Sequence, residues 1–197
     1  MTFSALPKTY AIKSLASVIL ASSMLYASFS SAEEQPAPQA RVQKFDDWYY
    51  RCVDSKAADG VTGTHCEVAQ IATVKQGDKD VNILTLAIAR ATDEPAASNK
   101  KTAGDLVLTA LVPLNMYLPA GLAIDAAGKP VVQLAYRNCN QAGCWSQQKL
   151  TAGMAAALGK ASDGTGHVEM MNGQKVNIKF SLKGLPAALD ALRAASN

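Results

Sequence analysis

Four cysteines constrain the fold of this chain more than any other feature of its sequence. They are Cys52, Cys66, Cys139 and Cys144. In an oxidising compartment an even number of cysteines predicts disulfides, and four cysteines can pair in three ways. Short loops favour partners that are close in sequence, which predicts the bridges Cys52–Cys66 and Cys139–Cys144. Loop-closure entropy assigns about 3 kcal/mol to the first bridge and about 2 kcal/mol to the second, against a typical stability of ~5–15 kcal/mol.

The N-terminal segment has the features of a secretory signal. Lys8 and Lys13 precede an apolar stretch over residues 15–26, and the small residues Ser30–Ala32 fit a signal peptidase site. A membrane anchor is the alternative, but a span needs about 20 apolar residues, and this stretch is shorter and contains serines. We therefore expect a signal peptide over residues 1–32. The mature chain would then lack a membrane span and be periplasmic, or secreted and envelope-associated.

The remaining chain predicts one folded domain after a short spacer. Residues 33–40 contain two prolines, two adjacent acids and no large apolar residue, which is typical of a flexible spacer. Residues 41–197 are expected to form the domain, because 49% of the chain is hydrophobic and 18% charged. Removing the two lysines of the signal segment from the net charge of +3 leaves +1. That charge is too small for a nucleic-acid-binding surface.

Hydrophobic alternation predicts a mainly β domain. The expected fold is a β-sandwich-like antiparallel domain with one or two short helices and two disulfides. A loop is expected over residues 54–63 and another over residues 92–104. The strands are predicted at residues 42–52, 65–73, 81–90, 105–112, 122–125, 131–137, 167–171 and 174–183, with a further strand from Trp145 and helices at 151–158 (capped by Thr151) and 186–195.

Large aromatic and basic side chains add two expectations. Trp48 and Trp145 are predicted to pack beside the bridges, because aromatic residues often cover buried disulfides in small sandwiches. In the last predicted strand, Lys175, Lys179 and Lys183 face outward while the apolar residues between them face the core. This lysine row is interpreted as a solvated face that protects a sheet edge, with a partner surface as the alternative.

No set of side chains has the spacing of a catalytic or metal site. The predicted mature chain contains two histidines, His65 and His167. His65 adjoins Cys66, but a bridged cysteine has no thiolate to act as a nucleophile. Zinc held by His65, Cys66, Cys139 and Cys144 is an alternative, although structural zinc ligands usually come in pairs two to four residues apart. We therefore expect no catalytic, cofactor-binding or metal-binding residues.

Several short segments between residues 48 and 185 form a pattern that extends over about the whole predicted domain. The segments are Trp48-Tyr49-Tyr50-Arg51-Cys52, Cys66-Glu67, Leu111-Val112-Pro113-Leu114 followed by Gly121 and Ile124, Tyr136-Arg137 before the Cys139–Cys144 turn, and the closing stretch Val176–Leu185. Together they resemble the invasion-associated locus B family. The resemblance implies a periplasmic or envelope-associated β protein, linked in some pathogens to host-cell invasion, with no established catalytic residues.

These observations lead to two functional hypotheses. The first is a non-enzymatic exported protein that acts through interaction with an unknown protein or envelope component, with an invasion-associated role implied by the resemblance. The second is a hydrolase or other enzyme that acts on an envelope component, with His65 or His167 as the base. A polar cleft that places either histidine beside a carboxylate would favour the second hypothesis.

Overall fold

The computed structural model describes residues 41–56, 62–91 and 106–195. The predicted signal peptide and spacer, residues 1–40, lie outside these ranges, as does the predicted loop over residues 92–104. Neither helix in the described ranges has the length and apolar character needed to cross a membrane.

The described residues form eleven strands, two α-helices and a single 3₁₀ turn at Leu118–Ala120. Strand residues are rich in β-branched and aromatic side chains, and glycine or a polar pair occupies most of the tight turns between them. The elements are β1 (Arg41–Phe45), β2 (Trp48–Lys56), β3 (Thr62–Gln76), β4 (Lys79–Arg90), β5 (Leu106–Val112), β6 (Leu122–Ala126), β7 (Lys129–Leu134), β8 (Tyr136–Asn140), β9 (Gly143–Leu150), α1 (Ala152–Lys160), β10 (Asp163–Glu169), β11 (Lys175–Ser181) and α2 (Leu185–Ala194).

The strands build two antiparallel sheets around one core. The larger sheet has the order β1-β2-β3-β4-β5-β9-β8, and the smaller has the order β11-β10-β6-β7. Alternate residues of both sheets are buried in a single cluster, so the mainly β, sandwich-like prediction is confirmed. The largest fully buried members include Trp48, Leu84, Ile88 and Leu108 from the larger sheet and Leu122, Ile124 and Leu134 from the smaller one.

The N-terminal part of the fold corrects the first predicted strand. A single strand over residues 42–52 was expected, but β1 and β2 form a hairpin that turns at Asp46 and Asp47. Asp46 has a φ of 48°, a left-handed conformation that aspartate tolerates better than most residues. The predicted loop over residues 54–63 is also shorter, because β2 continues to Lys56 and β3 begins at Thr62.

A second correction concerns the predicted strand over residues 131–137. The chain leaves the smaller sheet at Leu134 and enters the larger sheet at Tyr136, so this segment is divided between β7 and β8. Because the change of sheet takes place at Ala135, hydrophobic alternation alone could not reveal it. The consequence is that β8 becomes an edge strand beside β9.

Both predicted helices are present, with bounds shifted by one or two residues. The Thr151 hydroxyl accepts a hydrogen bond from the Met154 amide at 3.2 Å, which confirms the predicted N-cap of α1. Helix α2 buries Leu185, Leu189 and Leu192 along one stripe, as predicted. Helix α2 contacts β1, β2 and β3, whereas α1 contacts α2, β7 and β9. The helices therefore close one end of the core.

Glycine is required immediately before α2. Gly184 has a φ of +84°, and a Cβ atom at this position would lie 2.1 Å from the carbonyl oxygen of Phe45. No side chain can occupy that space without moving the β1–β2 turn. The close approach fixes α2 against the first hairpin.

Candidate functional site

The Cys52–Cys66 bridge joins β2 and β3 at directly opposite positions. The two Cα atoms are 4.0 Å apart, and Cys52 is almost fully buried. The Tyr50 hydroxyl lies 2.8 Å from Cys52 Sγ and 3.3 Å from Cys66 Sγ. Trp48 was predicted to pack beside this bridge, but it lies two residues before Tyr50 on β2. Its indole N–H donates to the Ser181 carbonyl at 3.1 Å. Tyr50 is therefore the aromatic residue that covers this bridge.

The second bridge, Cys139–Cys144, joins β8 and β9 beside their turn. Cys144 is buried on the inner face of the sheet. Trp145 follows it and, because side chains alternate along a strand, projects from the outer face. It lies opposite Asn138 and lines a cleft there. The prediction that Trp145 packs beside the bridge is therefore wrong.

The bridges take up all the cysteines of the described residues. The zinc site considered from the sequence would need the same thiolates that the two bridges use. It would also need the two bridges close together, whereas Cys52 and Cys66 lie on β2 and β3 and the other pair lies on β8 and β9, at the far end of the sheet. The cysteines therefore serve to hold adjacent strands together.

His65 lies on the outer face of β3, in a groove of about 480 Å³. Glu67 projects from the same face, but its carboxylate is ion-paired with the Arg51 guanidinium on β2. Among the described side chains, none forms a hydrogen bond with His65. Because no described carboxylate hydrogen-bonds to the imidazole, the base–carboxylate pair proposed for His65 is not formed by the described residues.

His167 occupies the centre of a three-strand polar cluster on the outer face of the smaller sheet. Its Nδ1 lies 2.8 Å from the amide oxygen of Asn177 on β11, and its Nε2 lies 3.0 Å from a carboxylate oxygen of Asp125 on β6. Only the protonated ring can donate at both nitrogens. The pKa of His167 is raised above its usual value, mainly by the hydrogen bond to Asn177. Burial acts in the opposite direction, and the Asp125 carboxylate adds to the increase.

This cluster does not provide an activated nucleophile. The adjoining cleft of about 240 Å³ contains His167, Glu169 and Lys175, and its lining in the described part of the chain includes no serine, threonine or cysteine. Both ring nitrogens already face oxygen atoms of the protein, so neither is open to take a proton from a substrate. His167 therefore acts as a link between β6, β10 and β11.

We expect the stabilisation from this link to depend on pH. The pKa of His167 is higher in the folded state than in the unfolded state, where it is about 6.5. The stabilisation from protonated His167 is therefore fully present below pH 6.5, and it is lost as the pH rises through the folded-state pKa. The His167 side chain is 38% exposed, so solvent screening limits the effect to less than about 1 kcal/mol. Urea denaturation of the wild type and His167→Gln across pH 5–9 would measure it. A stability difference independent of pH would contradict this account, and Asp125→Asn should reduce the pH dependence.

An exposed apolar surface lies where the β5–β6 connection meets the β10–β11 turn. We call it the tip patch, and it consists of Leu114, Tyr117, Leu118 and Met171, which are 45%, 42%, 46% and 66% exposed. Between Asp105 and Asp125 the sequence contains no charged residue. Such a cluster of exposed apolar side chains is a typical feature of a protein contact surface.

Backbone hydrogen bonds hold the two loops of the tip patch together. The Tyr117 amide donates to the Glu169 carbonyl at 2.7 Å, and the Met171 amide donates to the Asn115 carbonyl at 2.9 Å. Met116 and Met170 form a β-bridge between these bonds. This surface was not predicted from the sequence. The uncharged stretch was the available signal, but the pairing of the loops depends on the tertiary fold.

Comparisons with known proteins agree with this fold. A family model described as Invasion associated locus B (IalB) protein matches residues 48–193. The crystal structure of invasion associated protein b from Bartonella henselae is similar, with a TM-score of 0.61 and 16% sequence identity over 79% of this chain and 97% of that chain. No curated protein matches the sequence. The family match extends from Trp48 in β2 to Arg193 in α2, and the chain therefore belongs to the invasion associated locus B family.

Proposed function

We propose that this chain is an exported, non-enzymatic protein of the periplasm or cell envelope, and that it acts by binding another protein through the tip patch. The observation that carries the proposal is the cluster of four large apolar side chains exposed on two joined loops. Methionine and tyrosine are enriched in protein interfaces, and methionine adapts its shape to a partner. The name of the Bartonella protein supports an association with host-cell invasion, which we propose for this chain as well.

The geometry of the tip patch favours binding. Backbone hydrogen bonds hold the two loops before any partner arrives, so little conformational entropy is lost on association. Met116, which lies between Leu114 and Tyr117 in sequence, is buried in the core and anchors this connection. The enzymatic alternative has no comparable support, because the contacts of His65 and His167 do not pair a base with a nucleophile.

The proposal predicts that acidic substitutions in the tip patch abolish partner binding. A Leu118→Asp, Met171→Asp variant places two charges in the contact surface, which should weaken binding at least about 100-fold, since desolvating a charge in an apolar interface costs several kcal/mol. Crosslinking in intact cells, identification of the bound protein and reconstitution with that purified protein would measure the loss. Circular dichroism would establish that the variant folds.

Ile71→Asp is the matched control. Ile71 is 53% exposed and lies on β3, outside the tip patch, so this variant should retain the partner. If the double variant binds as well as the wild type, the tip patch is not the contact surface. If the wild type binds no protein in the periplasm or at the cell surface, the proposed function is wrong.

A further inference from the structure

A second surface, more polar than the tip patch, lies on the larger sheet. It is near the β8 edge, and β1 forms the other edge of that sheet. It is a shallow cleft of about 270 Å³ on the outer face of β5, β8 and β9, and we call it the Trp145 cleft. Trp145, Arg137, Asn138, Gln147 and Thr109 contribute to its lining. No residue of the tip patch lines it, so the two surfaces are separate.

A β-bulge brings the key side chains of the Trp145 cleft to one face. The register of β8 against β9 shifts between Tyr136 and Asn138, so Arg137 is an extra residue on the bulged strand. Tyr136 packs inward against the core, while Arg137 and Asn138 both line the outer cleft beside Trp145. A bulge at a sheet edge commonly redirects a side chain in this way.

The walls of the cleft are held in place. The Cys139–Cys144 bridge fixes β8 against β9 one residue away from Asn138 and Trp145. Gln147 Nε2 donates to the Thr109 hydroxyl oxygen at 3.2 Å, which fixes the side chain on the β5 side. A ligand would therefore meet a surface that is already ordered, and it would lose less binding energy to ordering.

Several groups in the cleft have unused binding capacity. Within the described residues, no carboxylate pairs with the Arg137 guanidinium, and neither the Trp145 indole N–H nor the Asn138 amide has a hydrogen-bond partner. Among the described residues that line the cleft, there is one cation and no acid. It thus combines an aromatic face, neutral amides that both donate and accept hydrogen bonds, and a single guanidinium.

We propose that the Trp145 cleft binds an acidic oligosaccharide. The indole ring can pack against the C–H face of a pyranose ring, and the amides of Asn138 and Gln147 match neighbouring hydroxyls that both donate and accept. The Arg137 guanidinium can bind a sugar carboxylate with two parallel hydrogen bonds. One cation among neutral amides suits a hydroxyl-rich ligand with few charges, whereas a nucleic acid would require many more cations. This site goes beyond the protein-binding function proposed above.

Nuclear magnetic resonance of the two indole N–H groups provides a direct test. The chain has two tryptophans, and the Trp48 indole is buried and bonded to Ser181, so it serves as an internal control. The full chain, with both disulfides intact, would be titrated with sialyllactose, trigalacturonate and a muramic-acid-containing disaccharide. The matched neutral probes are lactose and methyl-esterified trigalacturonate. We expect at least one acidic probe to shift the Trp145 signal, with a millimolar or tighter Kd, and to leave the Trp48 signal in place.

Variants separate stacking from charge recognition. Trp145→Ala should weaken binding of the acidic probe about tenfold or more. Arg137→Gln should reduce binding of that probe to the level of its neutral counterpart. Tyr49→Ala should have no effect, because Tyr49 is 45% exposed on β2, four strands away from β9.

Three results would overturn the proposal. One is that no acidic probe shifts the Trp145 signal. Another is that neutral and acidic probes bind equally well to the wild type, which would remove the role of Arg137. The third is that inorganic phosphate alone gives the same shift, which would show a simple anion site. Because these measurements do not involve the tip patch, their outcome is independent of the protein-binding proposal.

Discussion

Replacing Trp48 with alanine is expected to lower the free energy of unfolding by about 3–5 kcal/mol. Trp48 is only 1% exposed and is among the largest fully buried side chains. Its indole N–H donates to the Ser181 carbonyl on β11, so one residue connects the larger sheet to the smaller sheet. Alanine would leave a cavity in the shared core and an unpaired carbonyl, and both effects destabilise the folded state.

Urea denaturation would measure this loss, with two further variants as controls. Trp48→Phe keeps an aromatic ring but removes the hydrogen bond, and it should cost about 1–3 kcal/mol. Trp145→Ala removes the same type of residue from the half-buried outer face and should cost less than about 1 kcal/mol. If the variants at positions 48 and 145 destabilise the fold equally, the assignment of Trp48 to the inter-sheet core is wrong.

Removing the Cys52–Cys66 bridge is expected to cost about 3 kcal/mol, and removing Cys139–Cys144 about 2 kcal/mol. The difference follows from loop length, since the sequence separations are 14 and 5 residues. The first bridge is also enclosed by Tyr50, so alanines at positions 52 and 66 would leave poorly packed space. Thermal unfolding of the two double-alanine variants would give both values.

The two bridges should also differ in their effect on ligand binding. Loss of Cys139–Cys144 frees β8 beside the Trp145 cleft, so it should weaken oligosaccharide binding as well as stability. Loss of Cys52–Cys66 should leave the cleft unchanged, because that bridge lies on β2 and β3.

For the stability of the fold, a destabilisation of less than about 0.5 kcal/mol in either double-alanine variant would contradict the role assigned to that bridge.

The mainly β fold and the helix cap could be predicted because both depend on local sequence. Alternation along residues 81–90 reflects one strand with one buried face, and Thr151 caps its own helix. The outward projection of Trp145 was also available from alternation, since its neighbour Cys144 must face the opposite way. The prediction failed because it considered residue type without considering the face of the strand.

Features that depend on distant segments could not be predicted from one sequence. Asp125 and His167 are 42 residues apart, and they meet only because β6 pairs with β10. The tip patch likewise requires the segment around Tyr117 to pair with the segment around Met171. Without strand order, nothing in the sequence distinguishes these partners from other polar or apolar residues.

The position of β9 between β5 and β8 has a consequence for the order of folding events. Strands β1 to β5 follow one another in the sheet, but β9 reaches β5 only after the chain has passed through the smaller sheet. Ser146 contacts Ala110 across a separation of 36 residues. Because closing this loop has an entropic cost that neighbouring strands do not have, we expect the meander of β1 to β5 to form before β9 attaches.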